Sequence, residues 1–582
     1  MKHKISILFG ILILAATIVS AQQVDFITPY EKSEGLETAT YHEVVDFYSR
    51  LSQASPRIRM TEVGITDSGY PLHLVMYAAD SDFDVDKMQK PDKRVILINN
   101  GIHPGEPCGV DASMMFFRDL AFDSVIQEIA GNSLVAAIPM YNIGGALNRG
   151  PYSRMNQVGP VEHGFRGNAR NFDLNRDFIK QDTRNARSFA TIFQMLMPDV
   201  FLDTHTSNGA DYQHIMTLVE GQADKLGGDL GSYYRNEFLP LLYENMNSEG
   251  FPMVPYVQTL KQTPDYGIAG FYDSPRYSSG YAALFQTIAM ISEAHMLKTF
   301  RERVASTYAL IKSIVKITND DNERMGRMRD TTLSWVKKKK EFALHWTLDK
   351  ERYSEVEFNG YEAGYKTSQV SGLDRLYYDR TKPWIKNVKH YNYYNPVLTV
   401  TKPVAYLIPR GWHNVIENLK RNGVVFDPLD QDSLITVGIY KIKDYKTRER
   451  VYEGHYLHYD VVLEKHIDAI QFHKGDFIAY TDQRANRYLV ETLEPQGYDS
   501  FFVWNYFDTV LQMKEYFSPY VFEDIAAGYL ATHPELESAL KSKKNADDSF
   551  AKSAWAQLRF VYERMPDFEP VYMRYPVYRW PE

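Results

Sequence analysis

The chain has 582 residues, which exceeds the roughly 250–300 at which a single hydrophobic core stops growing, so two or more domains are expected. Its 65 Lys and Arg residues are outnumbered by 74 Asp and Glu residues, and the formal net charge is −9. A chain with this balance offers no basic field for a phosphate backbone or an anionic lipid surface. We therefore expect no nucleic-acid partner.

The N-terminus predicts export. Two lysines precede an apolar stretch from Ile5 to Val19, and the small-residue tripeptide "VSA" ends at Ala21. This order is typical of a secretory signal peptide, so residues 1–21 are predicted to be cleaved off after Ala21. An uncleaved anchor is the alternative, but the stretch is shorter than the ~20 apolar residues of a spanning helix. Cys108 is the only cysteine, and we expect a periplasmic or secreted protein without an intrachain disulfide and without membrane contact after cleavage.

Strand-like and helix-like segments alternate along the first half of the chain. The apolar runs are "RIRMTEVGI", "LHLVMYA", "RVILI", "SLVAAIP" and "DVFLDT", and helical spacing occurs in "GVDASMMFFRDL", "NARSFATIFQMLM" and "TFRERVASTYALIKSIVK". This alternation predicts an α/β domain with a mixed sheet over residues 25–320.

The composition changes after residue 320. The charged stretch "NDDNERMGRMRD" is followed by a lysine run at 337–340, which by itself is typical of a solvated helix face. Residues 321–400 are predicted to form a linker and strand-rich segment. Residues 401–582 are predicted to form a folded accessory region of helices and strands, because "VAYLIPRGWHNVIENLKRNGVVFDPL" has a strand–helix–strand pattern and helical spacing follows near the end.

A strand-to-helix corner carries the first candidate ligands. The segment "NNGIHPGEPCG" follows the run "RVILI" and places His103 and Glu106 three positions apart. With 16 histidines, composition alone predicts roughly one such pair, so the spacing is weak evidence by itself. Gly101 and Gly105 permit a turn, Pro107 suits the first position of a helix, and such corners hold ligands in α/β sheets. His103 and Glu106 could therefore be metal ligands, or they could be capping residues of a polar turn.

A third candidate ligand follows another predicted strand. A catalytic zinc needs three protein ligands and an open position for water. In "DVFLDTHTSNG", His205 comes where a buried run emerges into polar residues, and alone it would be an ordinary loop histidine. Together with His103 and Glu106 it completes a His/Glu/His set that suits zinc. Asp203 could orient His205 or cap the loop.

Arginines and asparagines lie between these strand ends. In "GNARNFDLNRDF", Asn175 and Arg176 could bind a carboxylate through paired donors, or the segment could be a solvated loop. In "NRGPYSRMNQ", either Arg149 or Arg154 could stabilise an oxyanion, or both could be surface charges.

The ordered motifs "HPGE", "DLNRDF" and "LDTH", with a late glutamate in "AMISEAHM", resemble the zinc carboxypeptidases of the pancreatic type over residues 25–320. The resemblance implies a mixed eight-stranded sheet flanked by helices, and one zinc ion per chain on His103, Glu106 and His205. It implies that Glu293 is the general base. The alternative for Glu293 is a place in the first turn of a helix, where its charge complements the helix dipole.

The same resemblance implies residues that bind substrate. Asn175 and Arg176 match the pair that holds the C-terminal carboxylate of a peptide, and Arg154 best matches the oxyanion arginine. A tyrosine upstream of Glu293 should contact substrate, and Tyr272 and Tyr277 compete for this role, with Tyr281 as a weaker match. The family's usual Asn-Pro-Asp-Gly appears here as "NIGG".

The activity implied is removal of C-terminal residues from peptides by metal-activated water. A zinc amidase or deacylase acting on cell-wall peptides or N-acyl amino acids would keep the same metal ligands. A non-catalytic surface protein that binds peptide or glycan is the third possibility, encouraged by 42 tyrosines and an aromatic fraction of 14%. Of these three candidates, only the non-catalytic binding protein would not need Glu293. Cys108, His163, His214 and His295 are expected to be structural or surface residues.

Overall fold

The computed structural model describes residues 26–84 and 93–580. The predicted signal peptide lies outside these residues, so cleavage after Ala21 stays a prediction. Within the described ranges, no helix combines the length and the apolar character that crossing a membrane requires.

The strands are numbered in chain order. They are β1 Ile58–Ile65, β2 Pro71–Tyr77, β3 Val95–Asn99, β4 Leu134–Ile138, β5 Val200–Ser207, β6 Met216–Glu220, β7 Val254–Pro255, β8 Gln258–Thr259, β9 Ile268–Ala269, β10 Ile288–His295, β11 Glu341–Leu348, β12 Ser354–Thr367, β13 Asp374–Tyr391, β14 Tyr394–Thr401, β15 Ala405–Ile408, β16 Asp427–Pro428, β17 Ser433–Thr447, β18 His458–Phe472, β19 Phe477–Tyr480 and β20 Tyr578–Trp580.

The α-helices are numbered in the same way. They are α1 Pro29–Lys32, α2 Tyr41–Ala54, α3 Cys108–Phe122, α4 Ser124–Ala130, α5 Ile143–Leu147, α6 Arg184–Leu196, α7 Ala223–Leu226, α8 Gly228–Tyr233, α9 Leu239–Ser248, α10 Ser278–Ala283, α11 Phe300–Asp320, α12 Asn322–Lys338, α13 His413–Arg421, α14 Asn486–Leu493, α15 Pro519–Thr532, α16 Pro534–Ala546, α17 Asp548–Ala551 and α18 Ala554–Tyr562.

Eight strands form the central sheet in the order β1-β2-β4-β3-β5-β10-β6-β7. Strands β4, β3, β5 and β10 run parallel to one another, while β1, β2 and β6 add antiparallel pairings. The predicted mixed eight-stranded sheet is therefore confirmed. The five apolar runs of the first half are β1 to β5, and the three helical patterns are α3, α6 and α11.

Helices cover both faces of this sheet. Ile96 and Ile98 of β3 face a hydrophobic cluster that includes residues of α3 and α11. Val95 and Leu97 face a second cluster that includes residues of α6. Because both faces are covered, the central strands are apolar along their length and do not alternate with polar residues. This packing fixes the strand ends at which the candidate ligands lie.

The C-terminal region shares its core with the first region. Hairpin β12–β13 joins β9 and β8 in a four-stranded sheet, and β15 to β20 form a six-stranded sheet. Phe285, just before β10, stacks on Tyr488 of α14, with 5.5 Å between the ring centroids. Part of the segment predicted as a linker is the regular helix α12. The predicted domain limits at residues 320 and 400 stay predictions.

Candidate metal centre and substrate pocket

The corner after β3 brings His103 and Glu106 to the edge of the sheet. Gly101 has a φ of 66°, which favours glycine. Helix α3 begins at Cys108, so Pro107 is its N-cap and lies one position before the first helical position predicted for it. A Cβ on Gly105 would lie 2.9 Å from Cδ of Arg154, so glycine is needed for Arg154 to approach. The predicted turn is thus present, and it holds two candidate ligands and admits an arginine.

His103, Glu106 and His205 meet at one point. One potential ligand atom from each lies within 4.8 Å of the others, and all three side chains are buried. Nδ1 of His103 lies 3.3 Å from Oε1 of Glu106, and Nδ1 of His205 lies 3.1 Å from Oε2 of the same carboxylate. Two imidazole nitrogens and one carboxylate form a donor set that fits zinc.

The outer nitrogen of each histidine is held by an aspartate. Nε2 of His103 lies 2.9 Å from Oδ1 of Asp173, and Nε2 of His205 lies 3.1 Å from Oδ2 of Asp203. Such contacts orient the rings and leave each Nδ1 directed at the common point. Asp203 has the position predicted from the sequence. Asp173 was missed, although it lies in the quoted "DLNRDF" segment.

Positive groups surround the Glu106 carboxylate. Nη1 of Arg154 donates to Oε1 at 2.7 Å, and the backbone N–H of Thr206 donates to Oε2 at 2.9 Å. Burial raises the pKa of Glu106, but the charges of His103 and Arg154 outweigh it and hold this pKa well below its usual value. The carboxylate is therefore ionised, as a metal ligand must be.

Glu293 lies beside the triad on a neighbouring strand. Parallel pairing of β10 with β5 sets Glu293 opposite His205, and antiparallel pairing with β6 sets it opposite Thr217. Strand β10 continues to His295 and α11 begins only at Phe300, so the alternative of a helix-terminus glutamate is wrong. Burial raises the pKa of Glu293 to about 8. A half-buried carboxyl that attracts a proton thus adjoins the metal ligands.

A pocket of about 510 Å³ opens over these residues. It is lined by His103, Glu106, Ser153, Arg154, Met155, Asn156, Arg166, Asn175, Arg176, His205, Thr206, Ser207, Asn208, Val219, Tyr256, Phe271, Tyr277, Ile291, Glu293 and Met296. Arg166 was not predicted from the sequence, and its Nε donates to Asp173 at 2.9 Å. Arg149 does not line the pocket, because its guanidinium donates to the carbonyl of Thr38.

The triad with Glu293 is called the metal end of the pocket below, and Asn175 and Arg176, which also line it, are called its carboxylate end. They belong to a short 3₁₀ turn, Leu174–Arg176, whose N-cap is Asp173. Oδ1 of Asn175 is buried and has no hydrogen-bond partner among the described residues. The Arg176 guanidinium lies 4.7 Å from the centre of the Tyr277 ring. The side-chain amide of Asn175 and the guanidinium of Arg176 both carry N–H donors, and a carboxylate accepts such hydrogen bonds.

The three candidate tyrosines lie in different places. Tyr277 lines the pocket, but Tyr272 does not, because its ring packs against Tyr498 of the C-terminal region at a centroid distance of 5.1 Å. Tyr281 is fully buried, and its hydroxyl donates to Oδ1 of Asn422 at 2.7 Å. The structure thus brings only Tyr277 of the three to this pocket.

The remaining histidines and the cysteine are outside the triad. Cys108 is a buried residue at the start of α3, with Sγ 3.3 Å from Oγ1 of Thr206. His163, His214 and His295 each place a ring nitrogen within 3.0 Å of a backbone carbonyl oxygen. These positions agree with the structural roles expected for them.

A buried His/Glu/His set at the ends of parallel strands, with a protonatable carboxyl beside it, is the arrangement of a metal-dependent hydrolase. The family model described as zinc carboxypeptidase matches residues 44–348, more than half of the chain. The chain belongs to this family, and it is a metallocarboxypeptidase.

Curated carboxypeptidases and solved carboxypeptidase structures match this chain at low sequence identity. Carboxypeptidase 2 of Trichophyton rubrum is 23% identical over 493 residues, which cover 81% of this chain and 84% of that protein. Carboxypeptidase 2 of Trichophyton tonsurans is 21% identical over 490 residues, with the same coverage. A metallo-carboxypeptidase structure from Burkholderia cenocepacia has a TM-score of 0.37 at 15% identity and covers 49% of this chain and 70% of its own.

Proposed function

We propose that this enzyme removes the C-terminal residue from peptides with a free carboxylate, using one zinc ion on His103, Glu106 and His205. The observation that carries the proposal is the shared pocket. The metal-ligand set, the half-buried Glu293 and the proposed carboxylate-binding Arg176 line one cavity of about 510 Å³. A peptide that reaches all three groups presents its last amide bond to the metal end.

The proton steps are assigned to Glu293. Zinc at this triad would lower the pKa of a bound water to about 7 and polarise the scissile carbonyl. Glu293 accepts the proton of the attacking water and then passes it to the leaving amine. Its pKa of about 8 in the absence of a cation supports proton affinity at this position, and a neighbouring cation would lower that value.

Arg154 is assigned to the oxyanion. Its guanidinium is fixed before substrate arrives, because Nε donates to Gln157 at 2.9 Å and Nη1 donates to Glu106 at 2.7 Å. A fixed cation at the metal end stabilises negative charge as it develops on the carbonyl oxygen. Arg166, whose Nη1 lies 3.7 Å from Oε1 of Glu106, adds a second positive charge there.

Asn175, Arg176 and Tyr277 are assigned to substrate binding. The guanidinium and amide hold the terminal carboxylate, which restricts cleavage to the last residue. Apolar and aromatic side chains also line the pocket, namely Val219, Tyr256, Phe271 and Ile291. We therefore expect peptides that end in an apolar or aromatic residue to be the better substrates.

The test compares free and amidated peptides of one sequence ending in Phe, Lys or Glu, with products identified by mass spectrometry. Loss of single residues from the free peptides is expected, with Phe released fastest. A chelator should stop the reaction and added zinc should restore it. Equal turnover of free and amidated peptides would contradict the carboxypeptidase assignment and favour the amidase or deacylase.

Substitution of the carboxylate-binding arginine gives a second readout. Arg176→Ala should raise KM for free peptides by about 10²-fold or more, because a charged hydrogen-bonding partner is lost. Zinc content should stay that of the parent. Arg170→Ala is the matched control, since this arginine of the same segment is half exposed and lies outside the pocket. Equal KM values in the two variants would remove Arg176 from the substrate site.

A further inference from the structure

A loop of the C-terminal region contacts the turn that carries Asn175 and Arg176. This segment, residues 448–457, connects β17 to β18 and is called the pocket loop below. It lies beyond residues 44–348, which the family model matches. Its contacts therefore belong to a part of the chain that the family resemblance does not describe.

The pocket loop holds the turn that carries Asn175 and Arg176. Oε2 of Glu453 accepts the backbone N–H of Asp173 at 2.8 Å, and Asp173 is the N-cap of that turn. Gly454 packs on the preceding residue, since a Cβ on it would lie 3.2 Å from Cε1 of Phe172. The turn is thus held in place by residues of the pocket loop.

Glu453 of the pocket loop has a backbone conformation that is unfavourable for glutamate. Glu453 has a φ of 48° and Gly454 a φ of 82°, and the N–H of Tyr452 donates to the carbonyl of His455 at 2.8 Å. Two-residue turns of this kind favour Asn-Gly or Asp-Gly. A positive φ is energetically costly for glutamate, whose longer side chain does not make the local hydrogen bonds of Asn or Asp. Such a conformation persists where surrounding contacts hold it, and the bond from Glu453 to Asp173 is one such contact.

A second contact from the C-terminal region holds the residue before Tyr277. Asp499 accepts from the backbone N–H of Arg276 at 3.0 Å and from its Nε at 2.8 Å, and both side chains are largely buried. The Arg276 guanidinium also lies 5.4 Å from the centre of the Tyr452 ring and 4.9 Å from that of Trp504. Tyr277 is thus anchored through its neighbour in the chain.

We propose that the C-terminal region forms part of the substrate site by positioning its carboxylate-binding groups. Glu453 positions the Asn175–Arg176 turn and Asp499 positions the segment of Tyr277, so they act through other residues and do not touch substrate. The proposal rests on the assignment of Arg176 to the substrate carboxylate. It gives the C-terminal region a role in substrate affinity rather than in metal binding.

The test uses the full-length zinc-loaded enzyme and an N-acyl dipeptide with a free C-terminus. Glu453→Ala should raise KM about tenfold while kcat stays within about threefold, because binding is weakened and the side chains of the metal ligands, Asp173 and Glu293 are all retained. Glu453→Gln keeps an acceptor oxygen and should restore most of the affinity. Glu449→Ala, at an exposed carboxylate of the same loop, is the matched control and should resemble the parent.

The outcomes separate this proposal from the assigned function. An unchanged KM in Glu453→Ala, or no rescue by Gln, would overturn it. If Glu453→Ala does not fold, the KM of Asp499→Asn is measured instead. A raised KM supports the proposal, and an unchanged KM overturns it. Calorimetric binding of N-acetylphenylalanine needs no turnover, so weaker binding in Glu453→Ala than in Glu449→Ala would support the positioning role even if the parent cleaved no peptide. Equal binding in the two would overturn it.

Discussion

The two ends of the pocket are built in different ways. At the metal end, His205 and Glu293 lie on paired strands, and His103 follows the next strand of the same sheet. At the carboxylate end, Arg176 and Tyr277 lie in loops that contacts from the C-terminal region hold in place. The metal end therefore depends on the sheet and its core. The carboxylate end depends on residues that are distant in the sequence, so the two should respond to different substitutions.

Asp173 connects the two ends. Its Oδ1 contacts Nε2 of His103 and accepts the backbone N–H of Asn175 at 3.0 Å. Its own N–H donates to Glu453. One residue thus orients a metal ligand and begins the turn that carries Arg176, which makes it the natural place to test whether the ends are separable.

The largest effect is expected at the metal end. His205→Ala removes one of three ligands, so the purified variant should lose most of its zinc and its hydrolytic activity. Elemental analysis of parent and variant checks the zinc content. His413→Ala, at an exposed histidine of α13, is the control and should keep close to one zinc per chain. Full zinc in His205→Ala would remove this residue from the site.

Substitution of Asp173 should have a smaller effect, and the effect should reach both ends of the pocket. Asp173→Asn should lower zinc affinity by about 10–100-fold, because it weakens the hold on His103, and it should also raise KM. Asp203→Asn is the matched comparison and should lower zinc affinity without raising KM. Chelator competition measures the affinities. If Asp173→Asn changed KM alone, the two ends would be independent and Asp173 would belong to the carboxylate end only.

The smallest effect concerns a carboxyl outside the pocket. Burial raises the pKa of Asp111 in α3 to about 7 from an unfolded value of 3.8. The folded state binds the extra proton between these values, so the contribution of Asp111 to stability is full below pH 3.8 and is lost as pH rises toward 7. The melting temperature of Asp111→Asn relative to the parent should therefore rise by a few degrees from pH 5 to pH 8. A difference that does not depend on pH would contradict this.

The sequence predicted the metal end more fully than the carboxylate end. The strands before His103 and His205 are continuous apolar runs, and their order in an α/β sheet brings their ends together. His205 and Asp203 are two residues apart, so their contact was predictable from local spacing. The eight-stranded sheet followed from the family resemblance and is confirmed.

The contacts missed from the sequence are long-range ones. Glu453 lies 280 residues after Asp173, and no local pattern links a hairpin loop to that turn. Arg276 next to Tyr277 carried no signal for its partner Asp499, which lies 223 residues later. Tyr272 and Tyr277 could not be distinguished because the aromatic rings that pack on Tyr272, those of Tyr394 and Tyr498, belong to the C-terminal region. Such pairings are set by the packing of the shared core and not by nearby residues.

The most direct test of the assigned mechanism is Glu293→Gln, with zinc content, KM and turnover measured on one preparation. The three metal ligands and the carboxylate-binding residues are untouched, so zinc and KM should stay close to those of the parent. Turnover should fall by about 10²–10⁴-fold, because the group that accepts the proton of water is lost. Turnover within about threefold of the parent would contradict the general-base role and the hydrolytic mechanism built on it.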